Sequence, residues 1–180
     1  MQIDYEKNTL GYLDMTFGPV WDYIPLTRNF VENFLLINLI EKRNISKISL
    51  AVSELLENAI KYSNNDVIRL KIIKRLTDNS IEIHVFNYTD DLHANNLLEQ
   101  IEIMKSRNSL EYYLEKMKNI SKNNKEFSNL GLARINYEAN AKIDAFYNKN
   151  EKIIETFAKI KLEWFNEILF IKIIIKINYK

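Results

Sequence analysis

From Ile48 to Ser63 the apolar side chains recur at steps of four and three: Ile48, Val52, Leu55, Ala59 and Tyr62. With 3.6 residues per turn these positions form one stripe on a helix. Glu57 falls opposite the stripe with Lys61 one turn on, the spacing of a solvated ion pair. Upstream, Ile24, Phe30, Phe34, Ile37 and Ile40 keep helical spacing between Trp21 and Arg43, and Pro25 suits the first turn, where a missing N–H costs nothing. Asn44 to Ser46 predict a turn with capping residues between the two helices. Elsewhere the period drops to two. Leu10, Tyr12, Met15 and Phe17 alternate weakly over residues 9–17. Ile68, Leu70 and Ile72 alternate with Arg69 and Lys71, and Ile81, Ile83 and Val85 with Glu82 and His84, across a turn at Thr77 to Ser80. Residues 92–123 return to helical spacing in two segments, and Leu130 to Ala141 predicts a shorter helix. Two further strands are expected at Lys142–Asn148 and Ile153–Leu162, joined by Lys149-Asn150-Glu151.

This order of elements predicts an α+β fold, a two-layer sandwich of a mostly antiparallel mixed sheet with helices on one face. The 180 residues suffice for one domain, placed at 1–163, with an apolar tail at 164–180. In that tail Ile171, Ile173, Ile175 and Ile177 alternate with Lys172, Ile174 and Lys176, which suits an extra edge strand. Pairing across a homodimer, or with the sheet edge, would cover it. With only 3 Gly and 2 Pro, turns must come from Asn, Asp and Ser.

Composition removes several classes of function. Hydrophobic content of 47% and charged content of 27% are ordinary for a globular chain. A formal net charge of +1 gives no electrostatic case for nucleic acid or a membrane surface. There is no Cys and only two His, His84 and His93, so disulfides are excluded and a zinc site is not expected. The N-terminus has no basic region followed by an apolar run, and the apolar stretch 168–177 falls short of the ~20 residues that span a bilayer. A cytoplasmic protein is expected.

Candidate chemistry lies on the 48–63 helix. Glu54 and Asn58 sit one turn apart on the shoulder of its apolar stripe, where a side chain is half buried and can face a cleft. An amide supplies a neutral hard oxygen to magnesium, and a carboxylate can order or deprotonate a hydroxyl. Polar pairs at this spacing are also common as plain hydrogen-bonding shoulders, and spacing alone favours that plainer role. No Walker A sequence, paired-glycine dinucleotide fingerprint or zinc-protease motif occurs. His84 and His93 read as surface or satisfied residues, since spacing places no Ser or Asp partner beside them.

The stretch VSELLENAIKYS resembles the N-box of the GHKL ATPase superfamily; the preceding ISLAV and the compact size resemble its anti-sigma serine kinase branch, and FGPV with ELLENAIKYS is similar to the SiaB-type kinases. The resemblance covers residues 10–163 and implies the Bergerat, or histidine-kinase-like, ATPase fold. By it Glu54 matches the general base and Asn58 the magnesium-binding Asn, while Lys61 and Tyr62 take positions that line the nucleotide. Asn87 stands where the family has an Asp that reads the adenine amino group, and no Gly follows it. Asn129-Leu130-Gly131-Leu132-Ala133 is similar to the junction of the family's phosphate-facing lid and helix, which implicates Asn129, Gly131 and Leu132. The resemblance thus implies ATP and magnesium as cofactors and a small antagonist protein as partner. It implies either an anti-sigma-like serine/threonine kinase or an ATP-binding regulator of partner switching. The missing glycines leave open a nucleotide-free interaction module of the same fold, and the tail an oligomerising scaffold.

Overall fold

Alternation of side chains builds the sheet. The structure, a computed structural model, describes residues 9–38, 40–63, 67–120 and 130–163. Five strands, β1 (Thr9–Phe17), β2 (Ile68–Arg75), β3 (Ser80–Tyr88), β4 (Lys142–Asn148) and β5 (Ile153–Lys161), lie in the order β1-β2-β3-β5-β4. In its centre Ile72 pairs with Ile83, and Ile83 with Ala158. Every pairing among the described strands is antiparallel, so the mixed sheet expected from the sequence is a purely antiparallel one. The reason is local: β2–β3 and β4–β5 are tight hairpins, and β5 returns between β3 and β4, so no adjacent pair needs a parallel crossover.

The inward residues of β2, β3 and β5, among them Ile68, Leu70, Ile72, Ile81, Ile83, Val85, Ala158 and Ile160, are fully or nearly fully buried beneath the helices. Their neighbours on the other face are half-buried and paired. Arg69 donates to Asp14 at 2.5 Å, Arg75 to Glu82 at 2.7 Å and Lys159 to Glu82 at 2.9 Å. His84 lies against the rings of Phe86 and Phe157 on the same face. One face of the sheet is therefore core and the other a laced, wetter surface, as antiparallel sheets allow.

Five helices complete the fold: α1 (Tyr23–Ile37), α2 (Lys42–Tyr62), α3 (Asp91–Lys105), α4 (Ser109–Ile120) and α5 (Leu130–Glu138). The central one is α2, which packs on α1, α5, β3 and β5. Ile48, Val52 and Leu56 are fully buried along it. Each such side chain withdraws from water at a gain of about 1.5–3 kcal/mol. This helix starts earlier than the sequence pattern predicts. Asn44 and Ser46 lie within its first turns instead of in a turn before it, and Asn44 faces inward with 2% of its surface exposed. The chain breaks at Asn38 instead, whose side-chain amide donates to the Phe34 carbonyl at 2.8 Å and ends α1.

Asparagine takes over the work of glycine at two tight turns. Asn79 (φ 49°) and Asn140 (φ 51°) occupy the left-handed region, which Asn tolerates better than other non-glycine residues. Asn79 turns the β2–β3 hairpin and its amide also donates to the Leu162 carbonyl at 3.1 Å. Among the described residues no helix is long and apolar enough to cross a membrane. The tail 164–180, with its expected edge strand and homodimer contact, lies outside the described residues, as does Asn129.

Candidate functional site

Where α2 ends over the sheet, the packing leaves a cavity of about 260 Å³. Helix α2 contributes Leu55, Asn58, Ala59 and Tyr62, one side of its stripe and shoulder. The inward alternation of β3 delivers Val85 and Asn87, with Thr89 just beyond, and β5 delivers Ile154 and Thr156. Pairing fixes this: Val85 lies opposite Thr156 and Asn87 opposite Ile154. Helix α3 closes the remaining side with His93, Asn96, Leu97 and Gln100. Its start is set by Asp90, whose carboxylate accepts from the His93 backbone N–H at 2.8 Å and from the same ring's Nδ1 at 2.8 Å.

The polar lining is buried and incompletely paired. Asn87, Thr89 and Thr156 are 5%, 1% and 7% exposed. The Asn87 amide nitrogen donates to the Tyr88 carbonyl at 3.1 Å. Asn58 Nδ2 and Thr89 Oγ1 are buried with no hydrogen-bond partner among the described residues. Each such group costs about 1–3 kcal/mol while unpaired. Two of them lining one cavity mark a place where a ligand with ring nitrogens or carbonyls would recover that loss. The volume is just under the ~300–1,000 Å³ usual for small-molecule sites, the scale of a base and not of a whole nucleotide. The Tyr62 and His93 rings meet at 5.2 Å across the junction of α2 and α3.

The predicted site residues divide into two groups. Asn58, Tyr62 and Asn87 come together in the cavity. Lys61 is exposed, with its ammonium 5.3 Å from the Tyr62 ring centre, and no Glu57–Lys61 ion pair forms among the described residues. Glu54 does not line the cavity. It lines a separate groove with Ile24, Arg28 and Glu32 of α1, Lys47 and Glu57 of α2, and Arg134 and Glu138 of α5. There Arg134 Nη1 donates to Glu54 Oε1 at 3.1 Å while its Nε reaches Glu138 at 3.3 Å. Gly131 and Leu132 are buried in α5 and are not part of the cavity wall. A Cβ on Gly131 would collide with Glu54 Oε2 and lie 3.3 Å from its carboxyl carbon, so the glycine is the notch that receives this carboxylate.

Burial lifts the proton affinity of Glu54 above the usual carboxylate value, and Glu57 adds to the lift while Arg134 opposes it. A raised carboxylate is a better base near neutrality than an ordinary one. For magnesium the fit rests on Asn58 alone. Among the described residues no group of three or more His, Asp or Glu could hold an ion. Protein ligands this sparse suit only a cation brought by phosphates.

Sequence reasoning did not select Thr89, Thr156, Asn96, His93 or Gln100. A signal existed for one of them: Thr156 interrupts the inward series Ile154, Ala158, Ile160 with a lone hydroxyl. The others depend on where α3 packs.

No family model matches the chain, and no curated protein sequence matches it. Among solved structures, a chain in the crystal structure of the SiaB-SiaC complex from Pseudomonas aeruginosa superposes with a TM-score of 0.64 and 13% identity, covering 86% of this chain and 91% of that one. The likeness at this identity is one of fold.

Proposed function

We propose that the protein is an ATP-binding signalling regulator of the partner-switching kind, acting on a small antagonist protein as a serine/threonine kinase. The observation that carries this reading is the cavity beneath α2, where Asn58 and Thr89 present unpaired buried polar atoms beside Asn87 and Thr156. The similar fold occurs in a complex of two proteins, which supports protein binding as the output. Asn87, Thr89 and Thr156 would hold the base end of the nucleotide, with Asn58 the candidate oxygen donor to magnesium and Tyr62 and Lys61 at the rim. Magnesium-ATP, when bound, supplies the phosphoryl group and the cation that screens its charge. Glu54 would take the proton of the incoming serine hydroxyl, so catalysis would rest on positioning and proton acceptance.

Titration of magnesium-ATP into the protein, followed by calorimetry, tests the binding step. Saturable binding is expected, with Asn58→Ala weakening it about tenfold, or ~1.4 kcal/mol. Absence of binding at millimolar nucleotide would sink the reading, and an Asn58→Ala variant that binds equally well would remove the role of that residue.

A second reading has its own observation. The Glu54 carboxylate is already engaged by Arg134 and seated against Gly131. A regulatory module that no longer transfers phosphoryl groups, with or without nucleotide, would be built this way. ADP formation from ATP separates the two: slow turnover abolished by Glu54→Gln supports the kinase, and none at all supports the module.

A further inference from the structure

Glu54 is held from two directions by one helix turn. Gly131 leaves room for Oε2, and Arg134, one turn on in α5, donates to Oε1 at 3.1 Å. The same guanidinium is anchored by Glu138, which in turn accepts from the Tyr113 hydroxyl of α4 at 2.9 Å. This chain of contacts fixes the carboxylate in the groove between α1, α2 and α5. That groove, of about 590 Å³, is also lined by Pro25, Leu50 and Ser53.

We propose that Arg134 is the positioning residue for Glu54, holding the carboxylate in the orientation in which it meets the hydroxyl of a partner protein. The inference rests on the kinase reading above and adds a residue to it. A carboxylate oxygen that accepts one N–H still has a lone pair for a second hydrogen bond, so the ion pair orients the base without consuming it.

The surrounding charges set the pH behaviour. Burial and Glu57 favour the protonated form of Glu54, and Arg134 favours the ionised form against them, while Glu138 adds to the raising side. From α1, Arg28 and Glu32 face the groove as a pair 3.0 Å apart, and Lys47 is engaged by Glu163 at 2.9 Å. Arg134 is thus the cation hydrogen-bonded to Glu54, and its removal should raise the pH at which Glu54 ionises.

The test uses the full chain labelled with carboxyl-¹³C glutamate, the Glu54 signal being the one lost in Glu54→Gln. In Arg134→Gln the Glu54 titration midpoint is expected to move to higher pH, and in Arg134→Lys to stay nearer the parent. In the same variants the acid limb of ADP formation from ATP should follow the midpoint. For Arg134→Gln kcat should fall roughly ten- to a hundredfold, as for a misplaced catalytic group, with the KM for ATP within about twofold. A midpoint that does not move in a folded Arg134→Gln protein overturns the inference, as does a midpoint that moves without the limb. If the parent itself binds no nucleotide, the kinase reading is what has failed, and the calorimetric titration shows that separately.

Discussion

Two carboxylates with opposite proton affinities show how much a single residue's surroundings decide. Asp14 on β1 accepts from Arg69 at 2.5 and 2.8 Å and from the Tyr12 hydroxyl at 2.8 Å. The Arg69 hydrogen bond above all holds it below the ordinary aspartate value, against a smaller push from burial. Glu54 is moved the other way, by burial first. Linkage gives the two effects opposite signs. A depressed carboxylate binds fewer protons folded than unfolded, so its contribution to stability is present above the ordinary value and is lost as pH falls through the folded one. A raised carboxylate binds more protons folded, so stability declines as pH climbs from the ordinary glutamate value through the raised one. Asp14→Asn is therefore expected to lower the thermal midpoint at pH 7. Glu54→Gln should leave the midpoint unchanged or raise it, and both differences should shrink in acid. Melting curves from pH 3 to 8 check this, and a Glu54→Gln protein less stable than the parent at pH 7 but equal to it in acid would contradict the assignment.

At the scale of elements, α5 is held to α2 by a contact that a methyl group would break. Gly→Ala in a helix ordinarily stabilises by up to ~1 kcal/mol. Here the added Cβ would meet the end of the Glu54 side chain, which must swing away from Arg134, so Gly131→Ala is expected to forfeit that gain and to cost up to about 1 kcal/mol. With Glu54→Ala in place the obstacle is gone and the same change should become neutral or stabilising. A denaturation double-mutant cycle measures that reversal of sign, and simple additivity of the two changes would refute the contact. This contact also marks where the sequence stopped being legible. The two hairpins could be read almost to the residue, because a period of two with one apolar side specifies both strand and register. The stripe of α2 likewise turns Tyr62 inward with Asn58 on its shoulder, but the same spacing sets Glu54 beside Asn58, whereas the two line separate hollows. The start of the helix is not legible in the same way, because Asn44 and Ser46 resemble capping residues, whereas Asn44 is tucked against the core. Which side of α2 receives Glu54 depends on Arg134 and Gly131, far along the chain, and no local period carries that. The same holds for Thr89 and Thr156, which meet only because β5 returns beside β3.

For the whole molecule, the strand order matters most. Strand β5 lies between β3 and β4, so residues 80–88 and 153–161 pair directly although α3, α4 and α5 intervene in the chain. The cavity sits on this seam, and its walls from α2, β3 and β5 cannot form before the C-terminal hairpin has docked. Such long-range pairing predicts one cooperative unit, not an N-terminal subdomain that folds ahead of the rest. Ile83 is the residue to probe, since it is fully buried, pairs with Ile72 on one side and Ala158 on the other, and lies beneath the helices. Truncating it to Ala should cost about 2–5 kcal/mol through lost transfer energy and the cavity left behind. If residues 9–163 unfold together, urea curves followed by tryptophan fluorescence and by circular dichroism will shift to a lower midpoint in parallel, with the slope unchanged. Curves that separate under the two probes would instead show β1, α1 and α2 unfolding independently of the β4–β5 hairpin. The cavity would then be assembled between two units, and nucleotide should stabilise the later transition more than the earlier one.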